Sequence, residues 1–409
     1  MTLFGLSLSY LRRRPLTAAL NVLLMALGVA TIVVLLLFSR QMEERLARDA
    51  AGIDLVVGAK GSPLQLILSA VYHLDAPTGN VRMKDARFVL GSPAVRRAVP
   101  MALGDTYAGH AVVGTTPGYL DLYGASVATG RLWKGVREVV LGADVAAEQG
   151  LAVGQTFVSA HGIGGVTEHT AAPMTVVGVL APSGRVLDRL VLTSIETVWA
   201  VHEHADAGPN DVSADAHLTA HLDSLAAGER EITAILVSLK SPAMAYLFAR
   251  TVDGVENLKA AQPAFELARL MRLFGVGAQA LRVFGGVLML TALLGVFVTL
   301  YAALEDRRYD LAMLRTLGAS RAAVFRHLVV EGLLLAALGL SLGLVLGHGA
   351  AEVAGRMVAQ AQGLRLTGAA FVPSEALLAL AALAVGAVAA LVPAARAYRS
   401  DVAATLAAG

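Results

Sequence analysis

The chain has 409 residues, 56% of them hydrophobic and only 16% charged, against roughly 25% charged in soluble domains; mean hydropathy is +0.64. These values exclude a disordered chain, a coiled-coil rod and an ordinary soluble enzyme. A net charge of +2 gives no basic field, so nucleic acid is not an expected partner, and with no cysteine there is no disulfide, thiolate nucleophile or cysteine-ligated zinc.

Residues 1–15 carry the cluster Arg12, Arg13, Arg14 and lead into Leu16–Phe38, an uncharged run. That run is about as long as ~30 Å of hydrocarbon requires. It exceeds a signal-peptide core and ends in Ser39-Arg40-Gln41 rather than at a small-residue cleavage site, so an uncleaved signal anchor is expected. Residues 39–282 follow as a polar insert long enough to build its own core. Strand-like runs occur at Ile53–Val57, Ala111–Gly114, Glu138–Leu141, Met174–Leu180, Arg189–Leu192 and Thr233–Leu239. Helical patterns lie between them at Pro117–Tyr123, Ala143–Gly150, Glu196–His204 and Pro242–Val252. This alternation predicts an α+β or α/β unit. The amphipathic stretches Gln41–Ala51 and Pro263–Arg282 run directly into the first and second apolar segments and are expected to form a helical stalk. Leu64–Leu74 is apolar but too short to span. It reads as a core helix, or alternatively as a helix on the bilayer surface or beside a lateral entry for membrane lipid.

Three further spans are expected at residues 283–304, 328–351 and 376–395. Glu331 and His348, the polar interruptions of the third, read as interfacial. Gly339, Gly343 and Gly347 share one helix face, which would serve close packing within the chain or a seam between two copies. The predicted fold is therefore a membrane protein: four transmembrane α-helices, with a large α+β extracytoplasmic domain inserted between helices 1 and 2. Arg307, Arg308, Arg315, Arg321 and Arg326 place the loop 305–327 inside, and Arg396 and Arg399 place the tail 396–409 inside as well. Both termini are then cytoplasmic, while the insert and the short loop 352–375 lie outside.

Four of the ten histidines, His202, His204, His217 and His221, fall in one polar stretch rich in carboxylates. His217 and His221 have the i, i+4 spacing of one helix face, and His202-x-His204 would chelate from an extended strand. Histidine and carboxylate suit zinc or a similar divalent ion, so the stretch reads as a solvated loop, a zinc site or a docking loop for a periplasmic partner. No G-x-x-x-x-G-K-[ST] is present; Gly58-Ala59-Lys60-Gly61-Ser62 has the wrong spacing. ATP and Mg are therefore expected on another chain. Neither H-E-x-x-H nor G-x-S-x-G occurs, so no catalytic residues are assigned.

The loop reads Glu305-Asp306-Arg307-Arg308-Tyr309-Asp310-Leu311-Ala312-Met313-Leu314-Arg315-Thr316-Leu317-Gly318-Ala319-Ser320, then continues to Glu331. Leu311, Leu314 and Leu317 recur at helical spacing opposite a charged face, Gly318 breaks the helix, and Ser320 is placed to cap the next one. A short amphipathic helix joined to two spans suits the docking of a soluble partner.

This loop resembles the coupling region of the FtsX-like/MacB-like permeases of ABC transporters, the mechanotransmission type, whose pattern is approximately E-R-x-x-[ED]-[IL]-x-[LTM]-[LM]-[RK]-x-[LI]-G-[AM]-[ST]. The tail Pro393-Ala394-Ala395-Arg396-Ala397-Tyr398-Arg399-Ser400-Asp401-Val402 resembles that family's ending, with Val402 where proline is common. The entry Leu8–Leu16 and the insert segments Val112–Tyr119 and Glu138–Gly142 also look like it. The resemblance implies a dimer of permeases, a homodimer more readily than a heterodimer, carrying two copies of an ABC ATPase in a bacterial inner membrane. It implies that Glu305, Arg307, Arg308, Asp310, Arg315 and Arg321 sit in the ATPase groove, with Arg308, Asp310 and Arg315 making the polar contacts there. Leu314 and Leu317 would pack against it, with Gly318 at the turn. The implied function is ATP-driven export or extraction of a hydrophobic, lipidated or metal-linked substrate, with a periplasmic lipoprotein or metal-binding partner. One alternative is an FtsX-like signalling device acting on a periplasmic hydrolase; another is a component of a metal-related importer.

Overall fold

The computed structural model describes residues 15–162, 167–168, 173–206, 230–306, 313, 316, 320–362 and 366–399. The chain divides into two units, Met1–Glu43 with Arg272–Gly409, and Glu44–Met271. In chain order the elements begin with α1 (Pro15–Asp49), β1 (Leu55–Ala59), α2 (Pro63–Ala70), β2 (Val81–Arg82), α3 (Met83–Leu90), β3 (Val95–Tyr107), β4 (His110–Thr115), α4 (Gly118–Tyr123), β5 (Val127–Gly130), β6 (Glu138–Leu141) and α5 (Ala143–Gln149). There follow β7 (Thr156–Phe157), β8 (Ala160–His161), β9 (Thr167–Glu168), β10 (Met174–Leu180), β11 (Val191–Ser194), α6 (Ile195–Asp206), β12 (Glu231–Ile232), β13 (Ala234–Leu239), α7 (Ala245–Asp253), β14 (Leu258–Ala261), α8 (Pro263–Asp306), α9 (Arg321–Gln362) and α10 (Ser374–Arg399).

In the second unit the described strands form a mixed sheet with the order β14-β1-β13-β3-β4-β11-β6-β10-β5. β7 joins at β10, while β8 pairs with β3 and β9. β4 with β11 and β6 with β10 are parallel pairs. Strand β13, AILVSL, is buried at all six positions because it lies inside the sheet with both faces covered. Leu55, Val57, Val237, Phe248 and Val252 build one apolar core, and Val112, Val139, Leu141, Phe157 and Met174 another. The α+β expectation is met.

Strand β3, the longest, is not legible in the sequence, because Arg96, Arg97, Pro100 and Gly104 interrupt its pattern. Pro100 donates nothing to the ladder, but its carbonyl accepts a bond from Thr115 Oγ1 at 3.0 Å. The register against β4 shifts between Ala102 and Asp105, around Gly104, whose φ is +147°. This bulge bends the strand and re-aims the residue after it, Asp105. Leu64–Leu74 resolves in favour of the core helix: Ser62 caps α2, and Leu66, Ile67, Ala70, Val71 and Tyr72 are buried inside the domain. The bilayer-surface reading is thereby excluded for these side chains.

In the first unit, α1, α8, α9 and α10 are each long and apolar enough to cross a membrane. Only 33–44% of the most apolar stretch of each is buried in the chain, and Leu20, Leu290, Leu294, Val345 and Leu380 remain exposed, as lipid-facing side chains do. Asn21 Nδ2 donates to Thr299 Oγ1 at 2.8 Å inside the bundle. Gln41 exchanges two hydrogen bonds with the backbone of Thr367, 2.7 and 2.9 Å, tying α1 to the segment between α9 and α10. His348 is half-buried, with Nε2 3.1 Å from Glu375 Oε2. Glu331 is 2% exposed, next to Gly332, where α9 and α10 approach so closely that a Cβ would lie 2.7 Å from Gly386 O.

The Gly339, Gly343, Gly347 face is filled from within the chain by Met25, Val29 and Val33 of α1. A Cβ at Gly343 would meet Val29 Cβ at 2.6 Å and Ala26 O at 2.8 Å. The glycine face thus packs against α1 and is not a seam between copies. Gly343→Leu should force α1 and α9 apart and lower protomer stability by about 1–3 kcal/mol or more, with Gly343→Ala milder. Thermal unfolding in detergent checks this; loss of dimer with an unchanged protomer melt would contradict it.

Candidate functional site

Two regions combine position and chemistry: the roots of the 305–327 loop and the place where the outer domain holds the end of α1. At the first, α8 ends at Asp306 and α9 starts at Arg321. Ser320 Oγ accepts the Ala323 N–H at 3.1 Å, the expected cap. Leu304 of α8, Val324 and Leu328 of α9, and Ala394 and Ala397 of α10 share one apolar cluster. The Arg396 guanidinium lies over the Tyr301 ring, 5.0 Å from its centroid, and donates to the Tyr301 hydroxyl. Both roots of the loop are therefore fastened to each other and to the last helix. Glu305 and Arg321 at the roots, and Met313 and Thr316 within the loop, are exposed.

At the second region the last turn of α1 is held by buried polar groups. Tyr72 Oη donates to Leu46 O at 2.9 Å, Tyr123 Oη to Asp49 O at 3.0 Å, and the Val186 N–H to Asp49 Oδ1 at 3.1 Å. Arg185 reaches Arg48 O at 3.5 Å and Arg189 reaches Tyr72 O at 3.3 Å. Burial raises the Asp49 carboxyl above its ordinary value, opposed by the Val186 N–H and by Arg189, Arg45 and Arg185. Burial lowers Arg189, opposed chiefly by Asp49. The exposed end of β6 carries a separate lock: Arg131 binds both oxygens of Glu138 at 2.5 and 2.7 Å and holds that carboxyl down at about 2.

His73, in the left-handed region with φ 53°, has Nε2 3.2 Å from Tyr119 Oη. Burial, aided by the Arg189 charge, pushes its imidazole down to about 3. The unfolded chain, with an ordinary value near 6.5, then binds a proton that the folded domain refuses, so stability falls as pH drops from about 6.5 toward 3. Asp49, raised on folding, acts with the opposite sign. His73→Gln should flatten the acid slope of outer-domain stability in pH-dependent melts. An unchanged slope would contradict the assignment.

The profile of the MacB-like periplasmic core domain matches residues 18–250, and that of the FtsX-like permease C-terminal region matches residues 282–402. The chain belongs to the FtsX-like/MacB-like ABC transporter permeases. Two solved structures are similar in part. The periplasmic region of MacB from Actinobacillus actinomycetemcomitans shares 13% identity over 54% of this chain and 95% of that one, at a TM-score of 0.34. The extracellular domain of the noncanonic ABC-type transporter YknZ from Gram-positive bacteria shares 15% identity over 51% of this chain and 99% of that one, at a TM-score of 0.29. Likenesses at these scores add no argument. Among curated proteins none matches. As an FtsX-like/MacB-like permease, the chain is a multi-pass inner-membrane component of an ABC transporter, a kind that works with an ABC ATPase.

Of the residues assigned to ATPase coupling in this permease, Glu305 and Arg321 stand at the two roots of the loop, while Arg307, Arg308, Asp310, Leu314, Arg315, Leu317 and Gly318 lie outside the described residues. Of the four histidines, His217 and His221 also lie outside them. His202 and His204 are both on α6, not on a strand. His202 instead approaches Asp105 and His161, neither of which the sequence singled out. Asp105 follows the Gly104 bulge, and His161 is its cross-strand partner on β8. Asp49, Tyr72 and Tyr123 were missed too: the tyrosines signal only as polar tips in otherwise apolar segments, and Asp49 is one of several charges in an amphipathic stretch.

Proposed function

We propose that this permease transmits ATP-driven closure of a separate ATPase to its outer domain. The observation that supports the reading is helix continuity. α1 is one helix of 35 residues and α8 one of 44, lengths of about 52 and 66 Å at 1.5 Å per residue, well beyond a ~30 Å hydrocarbon core. α1 ends in the Asp49 network of the outer domain. α8 follows β14 of that domain and ends at Asp306 beside the coupling loop. An unbroken helix carries a displacement at one end to the other, which a flexible linker does not.

In this reading the termini and the 305–327 loop are cytoplasmic, two copies of the chain carry two ATPase subunits, and ATP with Mg is bound by the ATPases. The cargo is a hydrophobic, lipidated or metal-linked molecule exported or extracted from the outer face. Purification from native membranes in mild detergent, with every copurifying protein identified, tests this. An ATPase together with a lipoprotein or metal-binding protein supports it. An ATPase with a cell-wall hydrolase supports the coupling but replaces transport by signalling, and recovery without an ATPase overturns it.

A further inference from the structure

We propose that Asp105, His161 and His202 form an exchangeable binding site for Zn2+ or a closely similar divalent transition metal on the outer domain. One ligand atom from each lies within 4.8 Å of those of the other two. His161 Nδ1 is 3.3 Å and His202 Nε2 3.4 Å from the same oxygen, Asp105 Oδ1. A charge-assisted hydrogen bond between imidazolium and carboxylate closes to about 2.7–2.9 Å. Ligands bound at 2.0–2.2 Å around tetrahedral zinc stand about 3.3–3.5 Å apart, the spacing of each imidazole nitrogen from Asp105 Oδ1 here.

The fold explains how three residues so distant in sequence meet. The Gly104 bulge turns Asp105 into the domain, where its side chain is wholly buried. Strand β8, paired with β3, sets His161 directly across from it. α6 brings His202 to the same point, the two imidazoles meeting edge to face with centroids 5.1 Å apart and planes at 83°. A buried carboxylate thus forms the floor, and two partly exposed imidazoles, 57% and 38% accessible, form the rim. Two nitrogens and one oxygen select zinc and its transition-metal neighbours over Ca2+ or Mg2+, which take oxygen ligands. Three protein ligands leave a fourth position open to water or an incoming ligand, and the exposed rim favours exchange over permanent structural binding.

The site stands independently of the ATP-coupling reading. The test uses the full chain in detergent, freed of metal with a chelator and titrated with Zn2+, and with Co2+ as a spectroscopic probe. Wild type is expected to show the visible absorption of tetrahedral Co2+ and a higher melting temperature with Zn2+. His161→Ala and His202→Ala should each lose that absorption and one equivalent of bound zinc, and the double variant should lose no more than either alone. His204→Ala/His217→Ala/His221→Ala should keep both signals. Metal-free melts of His161→Ala and His202→Ala matching wild type show that the variants are folded. Retention of the Co2+ spectrum and of zinc stoichiometry in both single variants would overturn the proposal, as would loss of both signals only in the triple variant.

Discussion

Leu314→Asp combined with Leu317→Asp is expected to abolish copurification of the ATPase while leaving the permease folded in the membrane. The sequence pattern predicts a helix on which the two leucines share the apolar side, opposite Arg308 and Arg315. Burying a leucine contributes about 1.5–3 kcal/mol, so losing two weakens association by a hundredfold or more, before the cost of burying two carboxylates is added. The loop's roots are held by the cluster of Leu304, Val324, Leu328, Ala394 and Ala397, which the double substitution does not touch. An unchanged melt alongside loss of the ATPase is therefore the expected pair of results. Retention of the ATPase at wild-type stoichiometry would remove these leucines from the interface.

Asp49→Ala should have the second large effect, at the other end of α1. The substitution removes the acceptor of the Val186 N–H and the chief charge opposing the burial of Arg189. Breaking a buried charge relationship by deleting one partner costs about 3–5 kcal/mol. The outer domain should melt earlier, and the ATPase should still copurify because its docking segment is intact. Asp49→Asn keeps an acceptor for Val186 and should fall between the two. A wild-type melt for Asp49→Ala would show that the network does not hold the helix end.

The membrane half of this fold is legible in sequence because its signal is local. Leu16–Phe38 and the three later runs need only length and lack of charge, and each falls inside one of the four long helices. The same holds for Glu138–Leu141 and Met174–Leu180, whose observed bounds coincide with their β-rich runs. β3 escapes because Arg96, Arg97 and Pro100 interrupt its apolar pattern and a bulge breaks its period at Gly104. The coupling loop is readable only as a sequence pattern of leucines, arginines and a glycine, since most of its residues lie outside the described ones. The Asp105, His161, His202 cluster is not, because it depends on strand pairing and on the seating of α6, neither of which leaves a spacing in the chain. The histidine-rich stretch drew attention to His202, whereas Asp105 and His161 stand far from it along the chain and meet it only in space.

The proposed transmission runs from the coupling loop to the outer domain. Its most direct test is amide hydrogen exchange of the permease with its ATPase in lipid nanodiscs, with and without ATP, using a hydrolysis-deficient ATPase to hold the closed state. Nucleotide should alter exchange at residues 305–326 and also at residues 46–53 and 183–190, where the domain grips the end of α1. Nucleotide-dependent changes confined to residues 305–326, with the outer segments unaltered, would contradict the account.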